Sequence, residues 1–120
     1  MFDEKVAVNK HGVNSNIHSR ILSEDKMTAA GFHHHSKDAW YYSKLIDKDV
    51  TFNVTIKDDN SDFSIDVLDE DCLQPYDYQA MLHCNPNHGF AKKIMEQVEQ
   101  CMDKLQKTGI LYGHVRGEYI

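Results

Sequence analysis

The chain has 120 residues, 41% of them apolar and 27% charged, with a formal net charge of -6. That length suits one domain rather than two, and one tryptophan, six tyrosines and five phenylalanines supply enough bulk for a core, which excludes a disordered chain. No run approaches the ~18 apolar residues of a membrane span, no secretion signal is read after Met1, and no fixed-period repeat occurs.

Residues 1–22 have weak periodicity and many Asn, Ser and His residues. They read as an irregular arm with a short strand at Lys5–Val8, and residues 23–120 read as the single folded domain. Ser23 is an N-cap signal. Leu22 and Met27 are placed for a hydrophobic staple, and Glu24 and Asp25 suit the positive end of a helix dipole. Gly31 stops this first helix.

From Ala39 the period becomes two. Trp40–Ile46 reads as a strand, and Val50, Phe52, Val54 and Ile56 alternate with Thr51, Asn53 and Thr55 as a second. Asp58–Asp62 is turn chemistry, and Phe63, Ile65 and Val67 form a third strand. Gln74-Pro75-Tyr76 predicts the start of a short helix, and Asn85-Pro86 the start of a longer one. In the longer helix Phe90, Ile94, Val98, Cys101, Met102 and Leu105 recur at helical spacing, and Gly109 fits the position after its end. The tail Ile110–Ile120 adds a fourth strand, loosened by Gly113 and Gly117. The expected architecture is α+β in the order α-β-β-β-α, a three- to four-stranded antiparallel sheet with helices packed on one face.

Charge is unevenly placed. Residues 58–91 carry eight acids (Asp58, Asp59, Asp62, Asp66, Asp69, Glu70, Asp71 and Asp77) and no Lys or Arg. A surface of that sign repels phosphate and attracts basic partners, so direct nucleic-acid binding is not expected. Double-stranded-RNA-binding domains share the coarse element order, but Lys92-Lys93 is the only basic pair at the start of the last helix. Cys72, Cys84 and Cys101 are odd in number and form no C-x-x-C pair, which points to reduced thiols in a cytoplasmic setting.

Three constellations bear on chemistry. Asp58-x-Asn60-x-Asp62, continued by Ser64, Asp66 and Asp69, matches the oxygen spacing of an EF-hand loop. Phe63 replaces the required glycine and the flanks read as strands, so a polar hairpin turn is the preferred reading and Asp58, Asn60, Asp62 and Asp69 stay only as metal candidates. His33-His34-His35 is a second metal candidate, but neighbouring side chains on an extended chain point apart, so a solvated loop is preferred. His83-Cys84 and His88, with Cys72 upstream, offer a thiol and bases without diagnostic spacing. No phosphate-binding loop, dinucleotide fingerprint or catalytic-triad signature occurs, so no cofactor and no enzymatic activity are predicted.

The sharper reading of the acidic run is a mimic of a nucleic-acid backbone that occupies a basic groove on another protein. Asp66, Asp69, Glu70, Asp71 and Asp77 would supply charge, and Tyr76 and Tyr78 aromatic anchors, with Trp40, Tyr41 and Tyr42 as further candidates. The plainer reading is a solvated strand face. The segments Gly31-Phe32, Trp40-Tyr41-Tyr42, Phe52–Ile56, Asp66–Glu70, Gln74–Tyr78 and Gly117–Ile120 together resemble, in layout, small acidic uncharacterised proteins carried by phages and prophages of Gram-positive bacteria. The resemblance implies a non-enzymatic accessory protein that binds a host or defence protein, as anti-CRISPR inhibitors do. It carries over no residue roles. The alternatives are a small-ligand or metal-binding domain, and a homodimeric structural component.

Overall fold

A computed structural model describes residues 7–11, 17–34 and 38–113, with the backbone alone for 7–11. Its centre is an antiparallel meander of β3 (Ala39–Asp47), β4 (Val50–Lys57) and β5 (Phe63–Asp69). Strict alternation creates it. Phe52, Val54, Ile56, Phe63, Ile65 and Val67 share one face and are buried, while Asn53, Thr55, Ser64 and Asp66 face the other way. The register sets Val54 beside Ile65 and Ile56 between Trp40 and Phe63.

Three helices cover the apolar face. In α1 (Glu24–Ala29) the Ser23 side chain caps the Lys26 N–H, and Met27 is buried beside the partly buried Leu22, as the staple predicts. Gly31 follows at φ +101°, a conformation that favours glycine, and an added Cβ would lie 3.2 Å from the Tyr42 ring. Helix α3 (Gly89–Thr108) buries Ala91, Ile94, Val98, Cys101, Met102 and Leu105, and ends at Gly109 in the left-handed region. Phe90, expected in that stripe, is instead 42% exposed, on the surface beside the β3–β4 turn.

The α+β architecture stands, with two corrections to its elements. Gln74-Pro75 does not open a helix. It forms β6 (Gln74–Pro75), paired antiparallel with the end of β5, and α2 (Tyr78–Cys84) starts only after Asp77, whose carboxylate accepts from the Ala80 N–H at 3.0 Å. Proline tolerates this position because β6 is a short outer strand. Likewise Asn85 closes α2, and α3 begins at Gly89, capped by His88 Nδ1, which accepts from the Ala91 N–H at 3.2 Å.

The second correction concerns residues 1–22. Their described part is no irregular arm but paired strand, the first overlapping the strand read at Lys5–Val8. β1 (Ala7–His11) lies parallel to β5, β2 (His18–Ser19) pairs with β1, and β7 (Leu111–Tyr112) pairs with β2. Ile17 and Ser19 are fully buried. A buried amide secures the connection: Asn60 Nδ2 donates to the Ser19 carbonyl at 3.1 Å, and Ser19 Oγ donates to Asn60 Oδ1 at 2.8 Å. The β4–β5 turn is thus fastened to β2. Lys5, His35, Gly117 and the tail beyond Gly113 lie outside the described residues.

Candidate docking surface

The two hairpin ends at one edge of the meander meet. The Glu70 N–H donates to the Asp49 carbonyl at 2.7 Å, which ties the segment after β5 to the β3–β4 turn. Asp47, Asp49, Asp69 and Asp71 consequently surround a hollow of about 220 Å³, with Lys48, Val50 and Phe90 completing its wall. Tyr76 packs edge-on against Phe90, with ring centroids 5.2 Å apart.

Local bonds orient the carboxylates of Asp47, Asp66, Asp69 and Glu70. The Asp71 N–H donates to Asp69 Oδ1 at 3.0 Å. The Lys48 N–H donates to Asp47 Oδ1 at 2.7 Å, and Lys93 Nζ lies 3.3 Å from Asp47 Oδ2. The Lys48 bond lowers the Asp47 pKa most; desolvation opposes it, and Lys93 adds to the lowering. Asp66 Oδ1 accepts from Asn53 Nδ2 at 3.0 Å, and Glu70 Oε1 accepts from Thr51 Oγ1 at 2.8 Å. Oriented carboxylates beside an aromatic ring offer charge-assisted hydrogen bonds to cationic side chains, with Lys48 and Lys93 offsetting part of the charge.

The sequence-predicted contact residues divide. Asp66, Glu70, Asp71 and Asp77 are exposed and Asp69 is half-buried. Tyr76 is half-buried, and desolvation pushes its phenol pKa up. Tyr78 is only 2% exposed and belongs to the core, so it leaves the set of contact anchors. Trp40 is also buried, at 7%. Sequence reasoning missed Asp47, Asp49 and Phe90. The available signal was the Asp-Lys-Asp turn between two alternating strands, since a hairpin end must approach the far end of the next strand.

Of the loop candidates for a metal, Asp58, Asn60 and Asp69 are drawn into other bonds, while Asp62 Oδ1 is buried without a hydrogen-bond partner among the described residues. Asp58 accepts from His34 Nε2, at 2.7 and 2.9 Å to its two oxygens, and Asn60 is buried against Ser19. Ser64, Asp66 and Asp69 stand on β5, so the EF-hand spacing does not wrap around a point. His33 pairs through its backbone with Tyr41, whereas the His34 ring lies tilted against Trp40, with centroids 4.6 Å apart. Among the described residues, no group of three or more His, Cys, Asp or Glu side chains is arranged to hold a metal ion. Cys72 and Cys84 are exposed and Cys101 is buried, while His88 is taken by its capping bond. Among the described residues, no helix is long and apolar enough to cross a membrane.

A solved structure shares this fold. It is a crystal structure of a DUF1831 family protein from Lactobacillus plantarum, with a TM-score of 0.64 over 86% of this chain and 91% of that one, at 14% identity. At that identity the likeness establishes the fold alone. No protein-family model and no curated protein matches the chain.

Proposed function

We propose that this chain is a non-enzymatic, protein-binding inhibitor whose acidic surface docks on a basic, nucleic-acid-binding groove of a host or defence protein, in the manner of anti-CRISPR inhibitors. The observation that carries the reading is the gathering of Asp47, Asp49, Asp69 and Asp71 around one hollow walled by Phe90. Asp66, Glu70 and Asp77 are further exposed acids, Asp66 on the opposite face of β5 from Asp69. Carboxylates held by backbone and side-chain bonds lose little freedom on binding, so they meet lysine and arginine side chains at low entropic cost. The net charge steers association towards basic surfaces and away from phosphate.

The test is affinity co-purification with the wild-type chain and an Asp69→Asn/Glu70→Gln/Asp71→Asn variant. The expected result is a stoichiometric nucleic-acid-binding protein, retained at low salt, released at high salt or by an oligonucleotide duplex, and lost by the variant. A partner retained equally by the variant and untouched by duplex would refute the reading.

A further inference from the structure

On the open face of the sheet the register aligns side chains from four strands. Leu45 of β3 lies opposite Thr51 of β4, Thr51 opposite Leu68 of β5, and Leu68 opposite Pro75 of β6. Paired residues share a face, so these form one row across the strands. Leu45 is 63% exposed, Pro75 is exposed and Leu68 is half-buried. Thr51, between them, is 9% exposed and donates to Glu70. Alternation along β5 puts Asp66 on the same face on one side of Leu68, and the Thr51 bond holds Glu70 over that face on the other side.

We infer that this row, apolar at Leu45, Leu68 and Pro75, with Asp66 on one side and Glu70 bonded to Thr51 within it, is the seat for an amphipathic basic helix of the partner. The inference rests on the acidic-docking reading and adds the form of the partner. The geometry supports it. Three inter-strand steps of ~4.8 Å make the row roughly 14 Å long, close to the ~16 Å between positions i and i+11 of a helix. Asp66 lies about 7 Å along β5 from Leu68, so the spacing suits a body of about 10 Å diameter with cations on its flanks. A leucine seam buries against the row, and lysine or arginine stems reach Asp66 and Glu70. An acidic segment or an anionic membrane surface meets like charge at Asp66 and Glu70.

The probe is a labelled peptide of about fourteen residues, leucine and lysine only, with leucines on one helical face. One control has the same composition scrambled off that face, and another has glutamate for lysine. Binding is read by anisotropy, and the site by amide shifts in the full chain. The expected result is shifts at residues 43–45, 51–53, 66–68, 74 and 76, weaker binding of both controls, and a loss of about tenfold with Leu45→Ser/Pro75→Ser. Both substituted side chains are exposed, so that variant keeps the fold. Wild-type affinity in that variant overturns the inference. If binding is then equal for seamed and scrambled peptides but falls with Asp69→Asn/Asp71→Asn, the acidic-docking reading survives without the row. Absence of binding by either lysine peptide also overturns the inference, leaving the docking reading to the co-purification. Self-association abolished by Leu45→Ser overturns it by naming a second copy as occupant.

Discussion

Asn60 offers the most direct test of how the early segment is held. It sits at φ +54° in the β4–β5 turn and is 5% exposed. Its amide exchanges two bonds with Ser19, itself fully buried. In Asn60→Ala the Ser19 hydroxyl and carbonyl lose those partners, at about 1–3 kcal/mol combined, and alanine takes on the left-handed backbone at about 1–2 kcal/mol. The expected loss is therefore about 2–5 kcal/mol, a large share of the ~5–15 kcal/mol of a typical domain. Asn60→Gly loses the same bonds but tolerates the backbone, so it should be about 1 kcal/mol less damaging than Asn60→Ala. Ser19→Ala removes only the hydroxyl bond and should cost about 1 kcal/mol. The assay is urea unfolding followed by the fluorescence of Trp40, the one tryptophan, with circular dichroism as the test of a single transition. A loss below about 1 kcal/mol in Asn60→Ala, or an Asn60→Gly variant less stable than Asn60→Ala, would refute this account of the turn.

Two further outcomes follow from the thiols and from Asp47. Cys101 is 1% exposed; burial pushes its thiol pKa up, and Lys44 and Lys104 only partly oppose this. Under native conditions a disulfide reagent should therefore titrate Cys72 and Cys84 quickly and Cys101 only at the rate of unfolding; three equally fast thiols would contradict the packing of α3 on the sheet. The folded Asp47 pKa is lowered, so its stabilising contribution is present above the ordinary carboxyl range of about 4 and is lost as pH falls through the lower folded value. Asp47→Asn should melt below wild type at neutral pH, and the gap should close in acid; a gap that widens in acid would reverse the sign of this linkage.

The sequence by itself determined the meander, α1 and the body of α3. Each is specified by contacts within a short stretch: period-two alternation from Trp40 to Val67, the Ser23 cap with its Leu22–Met27 staple, and the helical stripe closed by Gly109. The excess of carboxylates between residues 58 and 91 was legible in the same way, because a strand pattern already says which of them face water. Tertiary structure decided what depends on distant partners. β2 and β6 are two-residue strands whose hydrogen bonds lie with other segments, so local propensity says little about them; β1 and β7 overlap the strands read at Lys5–Val8 and in the Ile110–Ile120 tail, and only their pairing partners were decided by distant segments. Tyr78 and Phe90 exchanged their expected places because burial at a helix start depends on where the axis crosses the sheet. The docking surface is of the same kind: Asp47 and Asp49 join Asp69 and Asp71 only through the backbone bond from Glu70 to Asp49, and Leu45 meets Leu68 and Pro75 only through strand register.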